Sequence, residues 1–286
     1  MNWRKSVFAK KARRYGFNIP RSLGVIPRVS GNLRFPPVVA NSIPKSGTHL
    51  LVQILQTLPH VRDWGNFLAS QPSFSFKEIS EKAVGRRLTS LVDNELVPAH
   101  LHYSDCANTI IGSQGYVHYF IYRDPRDICI SEAHYLSDMN RWHKLSKHFA
   151  SCSALSDKID LSINGLPESV LAGYPNIGAR VERYLGWLES DNVLALKYED
   201  LRSENAMKFF QTIFEHFSSQ SGMAIDSESM AEQAFSNLNS SRSHTFRSGA
   251  VQQWKTVLTD RQKKVIDDIA GESLQRLGYL LSTHEE

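Results

Sequence analysis

At 286 residues with 41% apolar residues, the chain can bury a sizeable core and is read as one α/β domain. Its three cysteines, Cys106, Cys129 and Cys152, are odd in number and show no CxxC spacing, which favours reduced, buried thiols over a disulfide framework. No N-terminal apolar segment resembles a signal peptide, and the longest uncharged run, 108–122, is too short and glycine-interrupted to span a bilayer, so a cytoplasmic protein is expected.

The net charge of +4 is unevenly spread. Residues 1–34 carry nine Lys/Arg and no acid, and the remainder carries 24 basic against 29 acidic residues, a net of −5. We therefore divide the chain into a basic N-terminal extension, 1–34, and a single domain, 35–286. Such an arm is a solvated extension, a contact for anionic lipid or nucleic acid, or a set of cations near an anion pocket.

The first informative stretch runs from Phe35 to Leu50. An apolar strand ends at Pro44, Lys45-Ser46-Gly47-Thr48 supply an ammonium, two hydroxyls and a flexible glycine, and Leu50, Leu51, Ile54, Leu55 and Leu58 recur at helical spacing. A strand, polar turn and helix N-terminus form an anion site, because free N–H groups and the helix dipole point outward. The plainer alternative is an ordinary helix cap at Ser46 or Thr48. The lysine precedes the glycine, so this is not a Walker loop.

Residues 60–100 lack a clear period, and Phe74, Phe76 and Ile79 are expected to dock one or two helices. Leu96-Val97 reads as a short strand end that leaves His100 on the loop after it, a position where parallel sheets carry functional groups. Read alone, a histidine such as His100 is more often packed or surface-exposed than catalytic, and no Cys or carboxylate cluster completes a metal site with His102.

Val117 to Tyr122 is nearly continuous apolar and aromatic sequence, as a strand covered on both faces requires. Arg123 stands at its end, an Asp-Pro turn follows, and Ser131 lies about two helical turns along. An arginine fork with a hydroxyl suits a phosphate monoester; the alternative is an Arg–Asp network that ties down the turn. Residues 137–175 read as loops and a short helix over the pocket, Ile177 to Leu188 as an amphipathic helix, and 192–198 as a strand ending at Tyr198. A closing helix, 260–277, is expected to turn Val265, Ile269 and Leu277 inward.

Four of these features stand in a known order. Pro44-Lys45-Ser46-Gly47-Thr48, His100-Leu101, Arg123 with Ser131 eight residues on, and Arg247-Ser248-Gly249 followed by Trp254-Lys255 resemble the sulfotransferases that use 3′-phosphoadenosine 5′-phosphosulfate (PAPS). The resemblance spans 38–280 and implies a doubly wound central parallel sheet flanked by helices, P-loop-like. It implies in-line transfer of a sulfuryl group from PAPS to a hydroxyl or amine, leaving 3′-phosphoadenosine 5′-phosphate (PAP), with no metal. His100 would be the general base and Lys45 the catalytic cation. Lys45, Ser46, Gly47, Thr48 and His49 would hold the 5′-phosphate, and Arg123, Ser131, Arg247, Ser248 and Gly249 the 3′-phosphate, with Tyr198 near the adenine. Leu50 replaces a stacking tryptophan, Pro98 a frequent lysine, His102 a frequent proline and Ser248 a lysine, while Asp260 and Lys264 break the segment through which some members dimerise. The expected acceptor is a small molecule, lipid or sugar, without nucleic acid; peripheral membrane contact through the basic arm is the further partner considered. The rival activity is a P-loop-type nucleotide or small-molecule kinase using ATP.

Overall fold

Five short runs, each rich in aliphatic or aromatic residues, pair into one sheet: β1 (Val38–Ser42), β2 (Leu68–Ala69), β3 (Leu96–His100), β4 (Val117–Tyr122) and β5 (Val193–Lys197). The computed structural model describes residues 34–238 and 250–284; the basic stretch 1–33 and Arg247-Ser248-Gly249 lie outside the described residues. All strands are parallel, in the order β2-β3-β1-β4-β5. Side chains alternate across the sheet. Val38, Ala40, Tyr119 and Ile121 therefore join one buried cluster, while Val39, Val97 and Phe120 join another on the opposite face.

Helices of eight residues or more are α1 (Thr48–Leu55), α2 (Glu81–Leu88), α3 (Asp105–Ser113), α4 (Pro125–His134), α5 (Leu155–Asn164), α6 (Ile177–Leu185), α7 (Ala206–Ser221), α8 (Ser227–Asn237) and α9 (Asp260–Arg276). Leu51 and Leu55 of α1, Phe210 and Phe214 of α7 and Ala231 of α8 cover the first face. Ile111 of α3, Ile128 of α4, Ile159 of α5, Val181 of α6 and Ile266 of α9 cover the second. This is the doubly wound arrangement expected from strands that are apolar on both sides.

Local chemistry sets the helix ends that matter. Asp124 caps α4 by accepting from the Arg126 N–H, and Pro125 occupies the first turn, where its missing N–H costs nothing. Thr259 and Gln262 form a reciprocal capping box on α9. Buried Gln262 also donates to Asp160 at 2.8 Å, fastening α9 to α5.

Several expectations change. His100 is the last residue of β3 rather than part of the loop beyond it. Pro98 sits within that strand, between two neighbours, where proline is ordinarily excluded. Leu96 donates its N–H to Arg62 O on the β2 side. Pro98, two residues on, would aim its missing N–H the same way, and β2 pairs only from Ala99 onward. The 137–175 region holds a full helix, α5, whose Ile159 and Ile163 are buried against the core. The inward face of α9 is carried by Ile266, Ala270 and Leu274, one residue out of phase with the expected Val265 and Ile269, which are only partly buried. Phe74 does not dock a helix but is 73% exposed. Of the three thiols only Cys129 is buried; Cys106 is exposed.

Candidate active site

The sheet order brings the carboxyl ends of β3, β1, β4 and β5 side by side, with neighbouring strands about 4.8 Å apart. Those ends deliver His100, the Lys45–Thr48 loop, Arg123 and Tyr198, in that spatial order. From β1 the chain moves outward to β2 and β3 on one side, then to β4 and β5 on the other. Open parallel sheets bind ligands at the crevice such a reversal creates.

The loop after β1 combines unusual backbone with polar groups that have no partner. Lys45 at φ 71 and Gly47 at φ 98 both adopt left-handed backbone, a conformation that costs a lysine energy and recurs at functional sites. Gly47 precedes α1 with no side-chain cap, so neither Ser46 nor Thr48 serves as the ordinary cap. The N–H groups of Gly47 and Thr48 donate to no described backbone carbonyl. Ser46 Oγ is buried without a partner, which an incoming phosphate oxygen would correct. A Cβ on Gly47 would lie 2.5 Å from Tyr198 Cδ2, so only glycine lets the tyrosine ring close over the loop. His49 follows, half-buried, in the first turn of α1.

His100 is joined to that loop through a residue the sequence did not single out. Thr48 Oγ1 and Ser42 Oγ are 2.7 Å apart, and Ser42 Oγ also reaches Ala99 O at 3.2 Å and His100 Nδ1 at 3.0 Å. His100 Nδ1 lies 3.0 Å from Ser42 O. A carbonyl can only accept, so Nδ1 carries the proton, leaving the Nε2 lone pair to act as a base. Burial first, and then Lys45, depress the imidazole to about 4 against the lift from the Ser42 carbonyl. The ring is therefore neutral across the physiological range. Asn41, also unforeseen, accepts from Leu101 N at 2.8 Å and donates to Leu101 O at 3.2 Å, locking β1 to the end of β3. Polar Asn41-Ser42 closing an apolar strand was the signal available in the sequence. His102 instead meets Glu78 at 3.0 Å.

Lys45 Nζ rests 3.8 Å above the Tyr135 ring centroid. Burial pulls its ammonium down to about 8, Glu132 opposing and Arg123 reinforcing the shift. Lys45 and Arg123 thus share one electrostatic environment. Tyr135 opens a π-helical turn, Tyr135–Met139, that continues α4, a distortion common at functional sites.

Arg123 is 6% exposed, donates from Nη2 to Asp127 at 3.0 Å and to Ala250 O at 2.8 Å, and stacks 4.6 Å from the Tyr198 ring. Its Nε is buried and unpartnered, a donor that fits a second phosphate. Asp127 Oδ1 also accepts from Trp254 N at 3.0 Å, and Arg126, paired with Asp124, lies 3.5 Å over the Trp254 indole. The Arg–Asp network therefore exists, and it ties residues 250–254 to the β4 end without consuming Arg123 entirely. Ser131, four residues beyond Asp127, is on the same face of α4 but makes no contact with Arg123 that would define its role. Arg247, Ser248 and Gly249 fall outside the described residues, although Ala250, the next residue, touches Arg123. Leu50 is only partly buried. Among the described residues no helix is long and apolar enough to cross a membrane.

Comparison with known proteins identifies the fold and the family. The chain is 27% identical over 231 residues to a flavonol sulfotransferase-like protein of Flaveria bidentis, covering 73% of this chain and 69% of the relative. It shares its fold with mouse sulfotransferase SULT7A1 complexed with PAP, at TM-score 0.56, 21% identity and 86% coverage of each chain. A second structure of the same fold is retinol dehydratase with androsterone and inactive cofactor PAP, at TM-score 0.57 and 14% identity, covering 90% of this chain and 86% of that one. The sulfotransferase domain profile matches residues 36–278, and with the strand-end site just described the chain belongs to the sulfotransferase family.

Proposed function

We propose that this sulfotransferase moves the sulfuryl group of PAPS to a hydroxyl or amine of a small-molecule, lipid or sugar acceptor, with His100 as general base. The observation that carries the proposal is the convergence of His100, Lys45 and Arg123 on one sheet edge, with unpartnered donors at Ser46 Oγ and Arg123 Nε.

PAPS supplies an activated sulfuryl group on its 5′-phosphate and a second anion at its 3′-phosphate. Ser46 Oγ with the Gly47 and Thr48 N–H groups would hold the first, and Arg123, with Ser131 and the Arg247-Ser248-Gly249 segment, the second. The Lys45 ammonium, seated on Tyr135 beside the loop, would balance charge that builds on the leaving oxygen, as preorganised cations do in related transfers. His100 Nε2 would take the acceptor's proton. Its low basicity in the free protein suits an acceptor whose proton leaves late; a bound polyanion raises it toward the working range. Tyr198, stacked on Arg123 and lying against Gly47, would border the adenine. We place this unit in residues 35–286 of a cytoplasmic protein, with 1–34 as an appendage.

Incubation with sulfur-labelled PAPS and a pool of phenols, alcohols and sugars tests the reading. Label should enter an acceptor at the same rate with and without a metal chelator. Transfer from ATP that requires Mg²⁺, and none from PAPS, would instead identify a kinase.

A further inference from the structure

The surface carries a groove that the transfer chemistry does not use. It encloses about 600 Å³ and is lined by Lys77, Arg141, Lys144 and Lys147 with the rings of Phe74 and Trp142. No carboxylate lines it. The four cations are exposed, and none forms an ion pair with a described acid. Phe74 and Trp142, 73% and 63% exposed, are large apolar surfaces held at its rim. The positive field is felt nearby: the His148 imidazolium is disfavoured first by burial and then by Lys147 and Lys144.

The groove is wired to the reacting centre. Lys45 sits on the Tyr135 ring, Tyr135 Oη accepts from Asn140 Nδ2 at 2.8 Å, and the His143 N–H donates to Asn140 O at 3.2 Å. His143 lines the groove and feels the charge of both Glu132 and Lys45. Lys144 N–H, donating to Ser73 O at 3.0 Å, clips the two walls together. A solvated basic surface needs neither this concavity nor aromatic plates.

We propose that this groove binds a carboxylate, sulfate or phosphate carried by the acceptor itself, so that the enzyme sulfates an elongated anionic molecule with an aromatic, apolar or sugar face. The anion lies among Lys77, Arg141, Lys144 and Lys147, the flat face lies against Trp142 and Phe74, and the nucleophile extends past His143 toward His100. The inference rests on the proposed activity for its chemistry, but the binding half stands apart from it. Aromatic and cationic groups at separate points of one concave wall favour one ligand carrying both features.

Two measurements on the full chain decide it. The first compares 4-hydroxyphenyl alkanoates of increasing tail length with their methyl esters as acceptors, in wild type and Lys144→Glu/Lys147→Glu. At the tail length that reaches the groove, the acid should exceed its ester in kcat/KM by about tenfold. That ratio should fall to about twofold or less in the variant and at high salt, as screening of exposed charges requires. The second measures fluorescence of anionic 8-anilinonaphthalene-1-sulfonate and neutral N-phenyl-1-naphthylamine on binding, with PAP affinity confirming that the variant is folded. The anionic dye should bind about tenfold more weakly to the variant, the neutral dye with little change. An acid-to-ester ratio that is never above one, or that survives in the variant, overturns the proposal. So does equal binding of the anionic dye to both proteins. Absence of any sulfation with the dye difference intact would reject the enzymatic reading while keeping the groove. Co-sedimentation with phosphatidylserine vesicles that the variant abolishes, without acid–ester discrimination, would overturn it in favour of membrane contact.

Discussion

His100 and Lys45 are both titratable, both partly buried, and pushed in the same direction by desolvation, yet their consequences for activity are opposite. His100, held near 4, is already a neutral base above that pH, whereas Lys45, near 8, must stay protonated to meet an anion. The kcat/KM for PAPS should therefore be flat through neutrality and fall as pH rises through about 8. The bound donor's negative charge raises the ammonium's pKa, so the alkaline fall in kcat should come at higher pH. A Lys45→Arg variant, whose guanidinium stays charged, should lose the alkaline limb of kcat/KM; the same limb in that variant would show that another group titrates. Replacing His100 by alanine should lower kcat about 10²–10⁴-fold with PAP affinity nearly unchanged, measured by initial rates and calorimetry. The strand–loop–helix turn was legible because Lys-Ser-Gly-Thr is a compact polar string between an apolar run and a helical period. Ser42, Asn41, Glu132 and Tyr135 were not, because each acts on a partner 58 to 90 residues away, and no local spacing encodes such a partner.

Elements differ in how much of themselves they reveal. β4 and α6 coincide closely with what their apolar runs and helical period imply. β2, with two residues, is too short for any period to register. The α5 helix carries Asp157, Lys158, Asp160 and Asn164 around its buried isoleucines, so composition reads as loop while tertiary contact with α4 decides for helix. In α9, Val265 and Ile269 look like the inward stripe, but Ala270 and Ser273 allow close approach to α6 and rotate the buried face by one residue. Gly178 marks that approach, since a Cβ there would strike Ile269 O at 1.9 Å. The junction of β4 and α4 is the element whose loss should cost most. Asp127→Ala would strand the buried Arg123 charge and the Trp254 N–H together, an effect of about 3–5 kcal/mol. Calorimetry should show a fall of roughly 10 °C in Tm, and a change within about 2 °C would mean that the network does not hold the turn.

For the molecule as a whole, parallel order does what no single motif can: it places groups from residues 45, 100, 123 and 198 along one edge of the sheet. The order of those motifs was readable in the chain, and the parallel sheet followed from the family they resemble. Their spatial sequence, β3-β1-β4-β5, was not, since it depends on which strands pair. On the function proposed above, two anions of one nucleotide would be gripped from different strands, the 5′ end at the Lys45 loop and the 3′ end at Arg123. Charge-assisted hydrogen bonds contribute about 1.5–3 kcal/mol each, so two of them at the 3′-phosphate make a difference of roughly a hundredfold or more. Titration calorimetry of wild type and Arg123→Ala with PAP and with adenosine 5′-monophosphate reads this out. We predict that wild type prefers PAP about a hundredfold and that Arg123→Ala loses at least tenfold of that preference; equal affinities of wild type for the two nucleotides would contradict the two-anion site.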